Sequence, residues 1–200
     1  GSEGKSCNTK HERKNRAEWD ELFSRINFNN VKDFDALDAL AFVQGPGSDT
    51  ALRIIASFLK PIAIIKNIPL IPVSHLKSRA YEAAQWIDAD NASIVATIEA
   101  DKNESYCGSF AKSSANIEAT SEESVISLED LCSYEADNSL YFVGSGWPKN
   151  IKDNPQYLPL AKPGAEAVAA LAKNELETGK NFDPELANPV YLKTPEYKKK

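Results

Sequence analysis

The fold is set by residues 40–74, which read LAFVQGPGSDTALRIIASFLKPIAIIKNIPLIPVS. An apolar run at 37–43 predicts a short strand, and the turn Gly45-Pro46-Gly47 ends it. A second apolar run at 70–74 predicts another strand. The segment between them has a helical pattern, so this stretch forms a strand–helix–strand unit, which is the building block of an α/β sheet.

The helix of this unit follows Ser48, which suits an N-cap position, and Asp49 places a negative charge in its first turn. We predict that it runs to at least Lys60 and that Pro61 kinks or ends it, because proline lacks the backbone donor. Its apolar arc covers about half of the circumference, which is wider than the ~100° stripe of a surface helix. One part of the arc faces the sheet, and the rest needs a cover, either the helix around Trp19 or a second protein.

Elements outside this unit continue the alternation of strands and helices. An amphipathic helix is predicted for residues 14–26, where Trp19, Leu22, Phe23 and Ile26 share one face. The other predicted elements are a helix at 76–87, a hairpin of 93–99 with 105–111, a helix at 128–134, a strand at 140–143, a helix at 163–177 and a strand at 189–192. The predicted class is therefore α/β.

The composition is that of a soluble globular protein, with 42% hydrophobic and 26% charged residues. The net charge of −6 argues against a protein that grips nucleic acid by bulk charge, and residues 88–137 alone hold twelve acidic residues and two lysines. No apolar run approaches the ~20 residues that span a bilayer, and no leader peptide pattern is present. We expect a cytoplasmic protein that does not bind membranes.

The number and spacing of the cysteines are consistent with a cytoplasmic protein. Cys7, Cys107 and Cys132 are odd in number and far apart, as expected for reduced thiols. Gly1-Ser2 is typical of residues left by cloning, and the sequence contains no Met. We therefore expect the chain to begin partway into a natural protein.

Two glycine turns invite a comparison with anion-binding loops. Gly45-Pro46-Gly47-Ser48 and Gly144-Ser145-Gly146-Trp147 both follow strands, but neither has the spacing of a phosphate loop. The sequence favours a capped tight turn at the first, and at the second a turn whose Trp147 packs on the core.

Candidate catalytic side chains are sparse. Of the two histidines, His11 lies in a polar opening segment and His75 sits between a strand and a helix. Glu99, Asp101 and Glu104 cluster at a hairpin, where acidic residues are common in solvated turns. No spacing of His, Cys, Asp or Glu resembles a zinc or calcium site. We therefore predict no catalytic residue, no metal and no cofactor.

Four motifs in the same order resemble the TsaB (YeaZ) family of tRNA threonylcarbamoyladenosine biosynthesis proteins. The stretch quoted above is similar to the family signature GPGSFTGLRIG…IPLIGVS. Further along the chain, residues 98–106 are similar to its IDARxGEVY hairpin, 143–147 to its VGxGW and 189–192 to its closing PVYLR. The resemblance spans nearly the whole chain, and four colinear motifs are much more specific than one glycine turn.

The resemblance implies the actin-like ATPase superfold of sugar kinases and heat-shock chaperones, with two α/β lobes. In this numbering the lobes are residues 1–88 and 89–200, with the tail from about 163 packing back on the first lobe. The first lobe lacks its leading strand here. The implied role is a non-catalytic scaffold and activator.

The implied partners are TsaD, the catalytic subunit, and TsaE, an ATPase. Together they place threonylcarbamoyl on N6 of the adenosine beside the anticodon of tRNA, and tRNA is reached only through the complex. Without TsaD the resemblance implies a homodimer.

The same resemblance places the pairing surface on the helix after Ser48 and on the helix around Trp19. The residues that we assign to the partner interface are Trp19, Phe23, Ile54, Ile55, Phe58 and Ile62. Leu52, Ala56 and Leu59 are expected to face the sheet instead. The chain departs from the family at Asp49, Ala51, Ile55 and Pro61, all on this helix.

Two other functions stay open. An ATP-dependent enzyme of the same superfold would need a phosphate loop and a metal-holding Asp, and neither is recognisable. A protease that acts on its partner would need a nucleophile and a base, and the chain offers only two histidines. A pull-down with TsaD, together with nucleotide-binding and peptidase assays on the isolated chain, distinguishes these three functions.

Overall fold

The computed structural model describes residues 19–28, 30–114, 116–134, 139–159 and 161–193. The first half of the chain consists of α1 (Trp19–Arg25), a 3-10 helix (Val31–Ala36), β1 (Leu40–Gly45), α2 (Asp49–Lys66), β2 (Leu70–Ser74) and α3 (His75–Ala84).

The second half is richer in strands. Its elements are β3 (Asn91–Asp101), β4 (Glu104–Ser113), β5 (Asn116–Ala119), β6 (Ser124–Ser127), α4 (Leu128–Cys132), β7 (Leu140–Gly144), α5 (Lys149–Lys152), β8 (Tyr157–Leu158), α6 (Ala165–Glu177) and a second 3-10 helix (Pro184–Leu186).

The smaller of two sheets is the parallel pair β1–β2, in which Leu40 lies opposite Leu70 and Val43 opposite Val73. Each face of this pair is covered by one helix. Phe42 and Leu70 pack on α2, while Ile71 and Val73 pack on α6. Side chains of a strand alternate between faces, so an apolar run such as that of β2 suits a sheet covered on both sides.

The larger sheet has the strand order β5-β4-β3-β7-β8, with β6 pairing with β4. β3 is antiparallel to β4 and parallel to β7. One face packs on α3, where Leu76 meets Ile94 and Phe110. The other face carries Val95, Phe142 and Trp147. The molecule is thus a mixed α/β protein, and the predicted class is confirmed.

Most predicted elements exist with shifted ends, and one is wrong. The strand expected at 189–192 is absent: this segment makes a single backbone contact with β1, from the Val190 N–H to the Gln44 carbonyl at 2.8 Å. Pro189 has no donor, and the segment meets only the end of β1, so no ladder forms. Residues 14–18 of the first predicted helix lie outside the described residues.

Pro61 does not end its helix, contrary to one of the two outcomes expected from sequence. α2 continues to Lys66. Pro61 and Ser57 both lie on the exposed side, so the carbonyl that loses its helical donor faces water. Leu59 and Ala63, on the opposite side, stay buried across the proline. Packing of that side therefore offsets the cost of the missing bond.

Among the described residues, Cys107 is buried and Cys132 exposed, and both are free thiols. None of the described helices has the length and apolar character needed to cross a membrane.

Candidate partner-binding surface

The inner side of α2 belongs to the core. Leu52, Ala56, Leu59 and Ala63 repeat every three or four residues and are all buried. Ala56, Leu59 and Ala63 pack toward Phe42 and Leu70 of the small sheet, and Leu52 is buried beside Gly45 at the end of β1. The prediction that Ala56 and Leu59 face the sheet is confirmed.

A second apolar row runs along the outside of α2 and is called the outer row below. It consists of Ile54, Phe58, Pro61 and Ile65, which follow the spacing i, i+4, i+7 and i+11 and so share one face. Ile54 is 53% and Ile65 77% exposed, and Pro61 is also exposed. Large apolar side chains in a contiguous exposed row mark interaction sites.

Phe58, the half-buried member of the outer row, anchors α1. Its ring stacks on Phe23 with centroids 5.6 Å apart and an interplanar angle of 23°. Phe34 meets Phe23 edge-on at 5.5 Å, and Phe28 meets Phe34 at 5.2 Å. This aromatic cluster fixes α1 beside the outer row.

The six predicted interface residues thus fall into separate environments. Ile54 is exposed, Phe23 and Phe58 are paired with each other, and Ile55 and Ile62 are half-buried. Ile55 also packs against the core cluster. The side chain of Trp19 lies outside the described part of the structure. Pro61 and Ile65 were missed as interface candidates, although the period that selects Ile54 also selects them.

The C-terminal strap, residues 183–193, contacts the basic side of α2. The Lys60 Nζ donates to the Glu185 carbonyl at 3.0 Å and to the Asn188 Oδ1 at 2.7 Å. The Arg53 Nε donates to the Tyr191 hydroxyl at 3.1 Å, with the guanidinium 5.5 Å from the ring centroid. Ile54 and Ile65 of the outer row stay exposed beside these contacts.

The turn before α2 is held by contacts with other parts of this chain. Gly45 has φ +126°, and a Cβ there would lie 2.6 Å from the Val190 carbonyl oxygen. The His75 Nδ1 lies 3.1 Å from the Pro46 carbonyl, so the protonated nitrogen donates to it. Burial, with a smaller contribution from the Arg79 charge, lowers the pKa of His75. The tight turn is confirmed, and Ser48 occupies the N-cap position, but its side chain makes no capping hydrogen bond.

The second glycine turn is likewise structural. The Thr97 Oγ1 donates to the Ser145 carbonyl at 2.7 Å, and the Trp147 Nε1 donates to the Val143 carbonyl at 3.0 Å. Trp147 is buried and meets Phe142 edge-on at 5.1 Å. The prediction that this tryptophan packs on the core is confirmed.

Two of the three acidic residues at the β3–β4 hairpin, Asp101 and Glu104, contact the strap. The Lys193 Nζ pairs with Glu104 and lies 3.9 Å from an Asp101 oxygen. The Glu99 N–H donates to the Ser145 Oγ at 2.9 Å. Within the described ranges, no group of three or more His, Cys, Asp or Glu residues is arranged to hold a metal ion.

Comparison with known proteins relates this architecture to one family. Residues 7–143 match the family model described as TsaD, tRNA N6-adenosine threonylcarbamoyltransferase. The Haemophilus influenzae tRNA threonylcarbamoyladenosine biosynthesis protein TsaB is 27% identical over 183 residues, covering 86% of this chain and 77% of its own length. TsaB of Escherichia coli K12 is 27% identical over 166 residues, covering 78% and 71%.

Solved structures agree. YeaZ from Pseudomonas aeruginosa superposes with a TM-score of 0.69 at 26% identity, covering 86% of this chain and 80% of that one. A P. aeruginosa protein with similarity to peptidase YeaZ gives a TM-score of 0.70 with the same coverage. The motifs, the family model and the superposition agree over most of the chain, which therefore belongs to the tRNA N6-adenosine threonylcarbamoyltransferase family and, within it, to the TsaB (YeaZ) proteins of tRNA threonylcarbamoyladenosine biosynthesis.

Proposed function

We propose that this chain is the non-catalytic scaffold and activator subunit that pairs with TsaD for transfer of threonylcarbamoyl to tRNA. The outer row of α2, with α1 beside it, is the contact surface. The observation that carries the proposal is the exposure of Ile54 and Ile65 next to the stacked Phe23–Phe58 pair. A large apolar row of this kind is costly in water and is stabilised by burial in a partner.

The proposal includes a two-lobed actin-like architecture, with residues 1–88 and 89–200 as the lobes. The contact of α6 with β2, through Leu171 and Ala172, supports a C-terminal tail that returns to the first lobe. TsaE joins the pair as the ATPase, and a homodimer forms through the same outer row when TsaD is absent.

In this proposal tRNA is bound only through the complex, within the cytoplasm. The acidic stretch 88–137 repels phosphates and includes the whole of the long β3–β4 hairpin. In this proposal the chain therefore supports the catalytic subunit, and its partners bind the anionic tRNA.

The test is a co-purification of this chain with TsaD. Ile65→Glu puts a charge on the most exposed side chain of the outer row, and we expect at least about thirtyfold weaker pairing, the effect of losing roughly 2 kcal/mol at a hot spot. Trp86→Glu is the matched control, because Trp86 is 58% exposed in the turn that follows α3 and is not part of the outer row. Equal pairing by both variants contradicts the assigned surface, and no pairing by the unmodified chain contradicts the role.

The peptidase alternative is less well supported at His75. Its Nδ1 is directed to the Pro46 carbonyl, and the hydroxyl of Ser78 donates to the His75 backbone carbonyl rather than to the ring. The hydroxyl of Ser74 donates to Glu123. Neither serine is thus arranged as a nucleophile with this base. Peptide cleavage by the purified chain that His75→Gln abolishes would favour a protease instead.

A further inference from the structure

The C-terminal strap lies along α2 in a defined direction. Asn188 accepts a hydrogen bond from Lys60. Tyr191 accepts one from Arg53, which precedes Lys60 by about two helical turns. Those two turns rise by about 10.5 Å, and the extended backbone from Asn188 to Tyr191 spans about 10 Å. The strap therefore runs extended and antiparallel to α2, and these contacts fix its position on the helix.

The strap directs its polar groups toward α2 and leaves apolar side chains outside. The groups that bond to the helix are a backbone carbonyl, an amide oxygen and a hydroxyl, and Ala187 packs into the core cluster beneath. Leu186 is 76% exposed, and Val190 and Tyr191 are exposed as well. A segment that only covered a helix would bury its large apolar side chains and leave its polar groups in water. The outward side of the strap is therefore suited to contact with another molecule.

The exposed side of the strap is continuous with the outer row of α2. On a wheel of about 100° per residue, Ile64 lies about 40° from Lys60 and about 60° from Pro61. Ile64 is exposed, and it lines one surface groove together with Pro184 and Glu185 of the strap. Apolar surface thus extends from the outer row, through Ile64, to the strap.

The size of a stable protein–protein contact calls for more surface than the helices offer. Such a contact buries about 800 Å² on each partner. α2 has 18 residues, so one face of it, about 27 Å long and about 10 Å wide, presents roughly 270 Å². Two helices of this length would together present roughly 540 Å² by the same measure. A contact built on α2 and α1 therefore needs a further element, and the strap adjoins α2 with apolar side chains exposed.

We propose that the strap is a third element of the contact with TsaD, in which Leu186, Val190 and Tyr191 pack against the partner beside the outer row. This inference rests on the proposed function, which assigns the same partner to α2. The strap engages the cations of Arg53 and Lys60, so it adds apolar burial rather than ion pairs to the contact.

The test is the affinity of the full chain for TsaD, measured by titration. Leu186→Glu should weaken pairing at least about tenfold, because it puts a charge into an apolar contact. The midpoint of urea unfolding should not shift, because Leu186 is exposed in the free chain. Trp86→Glu is the matched control, since it makes the same kind of change on an exposed side chain outside the strap and the outer row.

A second measurement uses the unmodified chain. Amide hydrogen exchange of a peptide that spans residues 183–193 should slow at least about tenfold when TsaD is added, because the contact holds the strap against α2 and hinders its local opening. A peptide that contains Trp86 should exchange at the same rate with and without TsaD.

Equal pairing by Leu186→Glu and Trp86→Glu overturns the inference, as does unchanged exchange in the strap. If Ile65→Glu still weakens pairing in that case, the proposed function holds without the strap. Failure of the unmodified chain to pair with TsaD overturns both. Self-association of the chain that Leu186→Glu abolishes, with pairing to TsaD unchanged, assigns the strap to a second copy and also overturns the inference.

Discussion

The two sheets of this molecule differ in how completely the chain covers them. The larger sheet is closed on one face by α3 and on the other by the cluster around Trp147, in which Leu131 and Phe142 have no exposed surface. Within the described residues the smaller sheet has two strands, and its helix α2 leaves Ile54, Pro61 and Ile65 of the outer row exposed. The first region buries its apolar side chains, whereas the second leaves several of them in contact with water.

This difference separates residues that maintain the fold from residues that serve association. Substitutions around the larger sheet should reduce the free energy of unfolding. Substitutions on the outer side of α2 should reduce pairing instead. The predictions below test that division in order of decreasing effect.

Trp147→Ala should have the largest effect on stability. The side chain is buried, contacts Phe142 and Tyr134 edge-on, and donates to the Val143 carbonyl. Removing a buried aromatic of this kind costs about 3–5 kcal/mol, which we expect as a loss in the free energy of unfolding by urea. Trp86→Ala is the control, because Trp86 is 58% exposed and should change stability by less than about 0.5 kcal/mol. Similar losses for both would show that the larger sheet is not the stable region.

Phe58→Ala should reduce both the free energy of unfolding and the pairing with TsaD. Its ring is half-buried between Phe23 and the core cluster, so we expect a stability loss of about 1–3 kcal/mol. Weaker pairing with TsaD should accompany it. Ile54→Ala changes a 53% exposed side chain of the same row and should weaken pairing with little change in stability. Sedimentation and urea unfolding of both variants measure the two effects.

If Phe58→Ala unfolds the protein while the remaining folded fraction pairs normally, Phe58 belongs to the core alone. The outer row would then reduce to Ile54, Pro61 and Ile65.

Sequence periodicity predicted the inner row of α2 well, because burial against a sheet imposes the helical repeat that Leu52, Ala56 and Leu59 follow. It could not place β5 and β6, since Asn116–Ala119 and Ser124–Ser127 are short, largely polar and paired only at the sheet margin. Nor could it foresee the strap, whose contacts from Lys60 and Arg53 join residues more than 120 positions apart. The apolar arc of α2 was evident, but only the structure shows which part Phe23 covers.

His75 links the two regions and should give the stability a pH dependence. Burial, and then the Arg79 charge, lower its pKa in the folded state from 6.5. The unfolded chain therefore binds the proton more readily, so the contribution of neutral His75 is present above pH 6.5 and is lost as the pH falls through the folded-state pKa. His75→Gln should flatten the unfolding free energy below pH 6.5. An unchanged pH profile in this variant would show that the imidazole does not titrate with folding.

Glu123 should give the smallest contribution to the pH dependence of the free energy of unfolding, opposite in sign to that of His75. Its carboxylate accepts a hydrogen bond from Ser74 at the start of α3 and so joins the β5–β6 connection to the end of β2. Burial raises the pKa of Glu123 above 4.5, and the bond from Ser74 only partly offsets this. The folded chain thus holds the proton on Glu123 more tightly than the unfolded chain does. The stabilising contribution of protonated Glu123 is therefore present below pH 4.5 and is lost as the pH rises through the folded-state pKa. Glu123→Gln keeps an acceptor for Ser74 without the charge, and its unfolding free energy should no longer fall over that range.

Glu122→Gln is the control, because Glu122 is an exposed neighbour and should leave the profile unchanged. If Glu123→Gln instead lowers stability at neutral pH, the ionised carboxylate stabilises this junction and burial is not the dominant influence on it.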